Sequence, residues 1–235
     1  MNKATASARG RTQFVDTPSG YSAVKPVSDV NVLKRSMDNT KLGKLREWRA
    51  GAFKGMPLYS LTLEERATCE RTCNAWDVCY GNNMPFAHRF DVTQDGGLAL
   101  MARLTVELDK LDTKHSATGY SVRLHILGDF FSVEYVDFWR EQLETRPLLH
   151  IYGYTHRQGA IKARIDDVWR EFHGRFNIMQ SDGTSDDVKP IALIETTDGA
   201  FKLPICPVQV GKAKGCLDCG LCTLPNVKGV RFLIH

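Results

Sequence analysis

The stretch S-V-R-L-H-I-L at 121–127 sets Val122, Leu124 and Ile126 against Arg123, His125 and Leu127, and the pair Gly128-Asp129 ends it. A period of two closed by a turn predicts a β-strand. The period then changes: V-E-Y-V-D-F-W-R-E-Q-L-E at 133–144 returns Val136, Trp139 and Leu143 at helical spacing before Pro147 stops it. L-L-H-I-Y-G-Y at 148–154 reads as the next strand. Residues 160–172 follow as a helix through Ile161, Ile165, Val168, Trp169 and Phe172, and R-F-N-I-M-Q at 175–180 is a third strand. Strands joined by short helical crossovers are parallel. The fold expected is therefore α/β, a partial (β/α) barrel of parallel strands with outer helices.

Upstream, 98–111 carries Leu100, Leu104 and Leu108 on one helical face, and Thr62 followed by Glu65 predicts a capped helical turn leading into Cys69. Downstream, 190–196 and 230–234 add strands around a C-terminal cysteine-rich loop module. The chain divides into a basic, irregular leader at 1–54, a core at 55–200, and a four-cysteine module with closing strand at 201–235. Trp139, Trp169 and Phe172 read as packing of the outer helices. Glu64-Glu65, Asp166-Asp167 and Asp186-Asp187 read as solvated charges.

With 235 residues, 43% hydrophobic and 25% charged, the composition is that of a globular protein with one ordinary core or two small ones. No apolar run approaches the ~18 residues of a membrane span, and 1–11 lacks the apolar stretch of a signal peptide, so the expected location is the cytoplasm, with no membrane partner. The net charge of +4 is uneven: 1–54 holds eleven Lys or Arg against Asp16, Asp29, Asp38 and Glu47. Such a segment is a solvated leader or a surface for nucleic acid. There is no Walker loop, G-x-G-x-x-G turn or G-x-S-x-G elbow, which argues against nucleotide hydrolysis, Rossmann cofactors and serine hydrolase chemistry.

The cysteines carry the chemistry. Without an export signal they face a reducing compartment, where metal ligation is the stronger reading than disulfides. Cys69, Cys73 and Cys79 form C-x3-C-x5-C; Cys206, Cys216, Cys219 and Cys222 form C-x9-C-x2-C-x2-C. The dense second run suits an iron-sulfur cubane, with a closed zinc site as the alternative. The first group offers three thiolates, which leave one iron of a cubane open for a ligand. Other readings of the first group are buried small hydrophobes, or one shared site completed by Cys206 or another thiolate.

In folds of this kind the site gathers at the C-terminal ends of the strands. The residues there are Gly128, Asp129 and Phe130, then Thr155, His156 and Arg157, then Ser181 and Asp182. Strand parity further points Arg123, His125, His150, Tyr152, Tyr154 and His156 inward.

The order of a cysteine triplet ending in C-Y-G (79–81), βα units whose next strand ends in Gly128-Asp129, and a C-terminal cysteine group resembles the radical S-adenosylmethionine enzymes. The second gap of the triplet is x5 here, where that superfamily has x2. More closely, N-T-K-L-G-K at 39–44, T-C at 68–69, C-Y-G, G-D-F-F-S at 128–132 with Tyr135 and Trp139, Y-T-H-R at 154–157 and C-L-D-C-G-L-C at 216–222 resemble the phage gene-product-eighty-eight family. That resemblance implies an iron-sulfur protein found in phages and mobile elements, hence in the host cytoplasm. Together the resemblances imply one or two 4Fe-4S clusters and reductive chemistry with S-adenosylmethionine as cofactor. Gly128, Asp129, Phe130, Arg123 and His125 would line the cofactor; Asp129, Tyr154, His156 and Arg157 would be catalytic; a ferredoxin or flavodoxin would donate electrons. The alternative is a non-catalytic, metal-stabilised module binding nucleic acid or a host protein.

Overall fold

Period-two segments become the strands of one sheet. The computed structural model describes residues 24–25, 27, 31–38, 42–73, 76, 79, 81, 84, 87–90, 92–181, 190–195 and 203–233. Asn39, Thr40, Lys41, Tyr80, Asp182 and the Asp186-Asp187 pair lie outside them. The strands are β1 (Val24–Lys25), β2 (Lys34–Arg35), β3 (Leu58–Ser60), β4 (Arg89–Phe90), β5 (Tyr120–Leu124), β6 (Leu149–Thr155), β7 (Phe176–Ser181), β8 (Ile191–Glu195) and β9 (Gly229–Leu233). Among the described residues the main sheet has seven strands in the order β2-β3-β5-β6-β7-β8-β9, parallel throughout except for antiparallel β2. No pairing among these residues joins β2 to β9, so the sheet is open at its edges. β1 and β4 form a separate parallel pair.

Helices α1 (Glu65–Thr68), α2 (Leu98–Lys114), α3 (Val133–Thr145), α4 (Gly159–Glu171) and α5 (Cys216–Cys219) connect them. The apolar stripes of α2, α3 and α4 (Leu104, Trp139, Val168) meet Val122, Leu124, Ile151 and Ile178 in the largest core cluster. Trp139 is fully buried, with Trp169 and Phe172 at the margin of that cluster. Among the described residues the opposite face of the sheet carries no long helix. Leu42, Trp48 and Phe53 cover its base together with Tyr152 and Leu217, so packing of the fold begins inside the segment read as leader.

Four expectations change. β5 ends at Leu124, because the chain then leaves the sheet and bonds to 61–63: Ile126 N–H donates to Leu61 O at 2.8 Å and Leu63 N–H to Leu127 O at 3.0 Å. Ile126 thereby joins the inner cluster instead of facing the outer helices. The cap of α1 is Glu64, whose carboxylate accepts from Ala67 N–H at 2.6 Å, in place of Thr62. Glu64 and Glu65 are buried, not solvated, and so is Asp166, which pairs with Lys162 at 2.7 Å.

Candidate functional site

Parallel strands put their C-terminal ends on one edge, and both cysteine groups leave from that edge: the first after β3, the second between β8 and β9. All seven cysteines line a single cavity of about 450 Å³. Its inner wall is Arg123, Tyr152 and Tyr154, and its rim is Leu127, Gly128, Asp129, His156 and Ser181. The cysteines form no disulfides. They act on one another electrostatically as two sets: Cys69 senses Cys79 and Cys73, whereas Cys222 senses Cys216, Cys206 and Cys219. Cys206 therefore belongs with the C-terminal set. Among the described residues no three His, Cys, Asp or Glu side chains converge closely enough to hold one metal ion.

Three arginines hold the first loop. Arg89, fully buried, donates from Nε to Glu65 Oε2 at 2.8 Å, from Nη1 to Met84 O and Ala87 O at 3.0 Å, and from Nη2 to Gly81 O at 3.1 Å. Arg66 lies over the Trp76 ring at 4.0 Å and donates to Trp76 O at 3.1 Å. Arg157 donates to Thr68 O and Phe130 O and pairs with Glu70 at 3.2 Å.

The second group is held by close backbone approach. Leu217 N–H donates to Leu42 O at 3.1 Å and Arg49 N–H to Leu217 O at 2.9 Å. Gly220, at φ +65, sits so close to Ala50 that a Cβ would lie 2.4 Å from the Ala50 carbonyl carbon. Thr223 Oγ1 accepts from Ala52 N–H at 2.9 Å, and Asn177 donates to Thr223 O at 2.9 Å.

Burial raises the Cys69, Cys219 and Cys222 thiols, Cys222 to about 12 against the opposing hydrogen bond from Tyr154. Such thiols keep their protons until a metal displaces them. Burial lowers His125 to about 3, so the ring is neutral; Nε2 lies 3.2 Å from Tyr135 Oη. Asp129 is raised by burial despite three donors: Phe130 N–H and Thr155 Oγ1 to Oδ1, and His156 N–H to Oδ2, each at 2.8 Å. Its carboxyl group latches the end of β6 to the turn after β5. Gly128, at φ +88, lets that turn pass Leu63 and Thr68, where a Cβ would meet each at 2.7 Å.

The candidates thus separate. Arg123, His125, Gly128, Asp129, Tyr154, His156 and the cysteines line the cavity. Phe130 does not: it is buried in the outer-face core, edge-on to His125 at 4.9 Å. Arg157 is a clasp behind the first loop and does not line the cavity. His150 faces inward below the cavity, against Phe53 at 5.0 Å. Arg89 and Trp48 went unread, and Glu65 was read only as a capping residue or solvated charge; Arg89 and Glu65 are partners 24 residues apart with no shared period, so no local pattern joined them.

The profile of one protein family, described as Gene product 88, matches residues 31–173, including the first cysteine group and the β5–α3–β6–α4 units. No curated protein and no solved structure matches the chain. No helix among the described residues is long and apolar enough to cross a membrane.

Proposed function

The chain belongs to the gene product 88 family, and from that premise we propose that it is an iron-sulfur redox protein carrying two clusters in one cavity. Cys69, Cys73 and Cys79 hold a 4Fe-4S cluster with one open iron; Cys206, Cys216, Cys219 and Cys222 hold a closed one. The observation that carries this reading is the gathering of seven cysteines, from two distant sequence groups, around one cavity as sets of three and four. The donor chemistry suits it: thiolates are soft ligands, and in a cubane each binds a different iron, so the sulfurs stand apart instead of converging on one ion. The fold is read as a partial barrel, with the sheet edge of β3 through β9 supplying one half of the wall.

S-adenosylmethionine is the proposed ligand of the open iron, where a cluster supplies the electron for reductive cleavage of its sulfonium. The chain's own residues prepare the place. Gly128 brings the 127–129 backbone close to the first set, and the Asp129 latch fixes that turn against β6. Neutral His125, with His156, offers hydrogen-bonding groups in a wall that also includes the apolar Ile126, Leu127 and Val230. An acidic ferredoxin or flavodoxin is the proposed electron donor.

Metal and sulfide analysis of protein purified without oxygen tests the reading. Roughly eight irons per chain, with reducible electron paramagnetic resonance signals, are expected for two cubanes, and Cys73→Ser then abolishes S-adenosylmethionine cleavage under dithionite. Zinc without iron overturns the redox reading in favour of a metal-stabilised binding module, whose basic 1–54 segment would bind nucleic acid in a salt-dependent way.

A further inference from the structure

Two side chains of the inner wall, Tyr154 and Arg123, face the C-terminal thiols. Tyr154, on the inner face of β6, donates its hydroxyl proton to Cys222 Sγ at 3.1 Å. Its ring packs edge-on against Phe232 of β9 at 5.5 Å, and with Cys206 and Cys222 it packs against a small cluster of Met179, Ala192 and Val230. Arg123, on β5, is only 6% exposed, and its guanidinium carbon lies 5.7 Å from the centre of the Tyr154 ring and 6.0 Å from that of Tyr152. β5 and β6 are adjacent, with Arg123 opposite Tyr152 in the register, so the cation and the phenol occupy neighbouring places on one wall.

A one-electron reduction adds a negative charge that is spread over the cluster and its thiolates. A proton donor on one of those sulfurs stabilises the reduced form, and so does a cation in a poorly solvated wall, where charges interact far more strongly than in water. We propose that Tyr154 and Arg123 set the reduction potential of the cluster held by Cys206, Cys216, Cys219 and Cys222, raising it so that this cluster accepts electrons readily and acts as the cavity's electron store. This rests on the reading of the C-terminal set as a 4Fe-4S site. Neither residue is placed as a ligand; both act through the thiolates, as potential-setting residues.

The test is a dithionite redox titration of the whole protein, followed by electron paramagnetic resonance, with iron per chain measured on every variant. Tyr154→Phe keeps the ring against Phe232 and removes only the hydroxyl. It is expected to retain full iron and make reduction of one cluster about tenfold less favourable, a fall of about 59 mV for one electron. Arg123→Met is expected to lower the same potential with iron retained, and Arg123→Lys to restore most of it. Full iron with unchanged potentials in Tyr154→Phe and Arg123→Met overturns this inference alone. Wild-type protein holding zinc instead of iron overturns the cluster reading and the inference with it. If Arg123→Met loses iron, Tyr154→Phe decides, because it leaves the packing and the buried charge in place.

Discussion

The loop after β3 and the connection between β8 and β9 both deliver cysteines to one cavity, but arginine side chains hold the first and close backbone approach the second. Around Cys69, Cys73 and Cys79, Arg66, Arg89 and Arg157 direct their donors to the carbonyls of Thr68, Trp76, Gly81, Met84, Ala87 and Phe130 and to the carboxylates of Glu65 and Glu70. Around Cys216, Cys219 and Cys222, the main chain of 42–51 bonds directly to that of 215–220, with the Thr223 hydroxyl on Ala52 N–H beside it. An ionic clasp fails when one partner is removed, because the other is left charged and buried. A backbone contact fails when a single methyl group is added.

The largest effect is therefore expected at Arg89. Arg89→Met leaves Glu65 buried without its guanidinium and takes one donor from each of the Gly81, Met84 and Ala87 carbonyls, a loss of about 3–5 kcal/mol. Urea unfolding should show it as a lower midpoint and, on the proposed two-cluster reading, metal analysis should show loss of the first set's iron with the second set's retained. Adding Glu65→Leu should recover only part of the loss, since the carbonyls do not regain the donors that Arg89 supplied. An unchanged midpoint in Arg89→Met would break the contrast.

Next comes Gly220→Ala, the complementary perturbation. The new Cβ must occupy a left-handed backbone and displace the Ala50 carbonyl, which together cost about 2–3 kcal/mol. Gly55 separates the two contributions: its φ is +87 and a Cβ there would have nothing within 4 Å, so Gly55→Ala should cost only about 1 kcal/mol. Equal losses in the two variants would mean that conformation, not contact, governs the second region.

Between the two regions lies His125. Its folded pKa, lowered by burial to about 3, is below the ordinary value of 6.5. The stability this contributes is complete above about 6.5, where the imidazole is neutral in both states. It is lost progressively as pH falls from there toward 3, because only the unfolded chain takes up the proton. At pH 5 the deficit is about 2 kcal/mol. His125→Gln should flatten the decline in urea midpoint between pH 7 and 5; an equally steep decline in that variant would show that other groups carry it.

The contrast also marks what a linear reading reaches. Between Tyr120 and Ser181 each element is long enough to show a period and short enough in its connections to force parallel crossovers, so strands and helices were legible there. β3 has three residues, β2 and β4 two each, too few for any period. Leu42, Trp48 and Phe53 are isolated among glycines and charges, and only the distant Tyr152 and Leu217 make them core. Cysteine spacing announced two groups, but their shared cavity depends on strand order, which brings β3 and β8 to a common edge. Phe130 shows the converse: its place beside Gly128-Asp129 suggested the site, while the turn after β5 rotates it into the outer core.

The smallest effect is expected at Ser132, the last residue of the G-D-F-F-S motif, which makes none of the clasp contacts and serves as a control. Its backbone is extended, and its Oγ accepts from Tyr135 N–H at 3.1 Å at the start of α3. This is an N-cap, satisfying one of the donors that a helix's first turn leaves open. Ser132 does not line the cavity. Ser132→Ala should therefore cost about 1 kcal/mol in urea unfolding, with Ser132→Asp recovering it through the same acceptor role. Iron content and cluster potentials should not move in either variant. A shift in potential with Ser132→Ala would tie the motif to the cluster chemistry and place the start of α3 inside the first region, whose boundary would then extend beyond the arginine clasps.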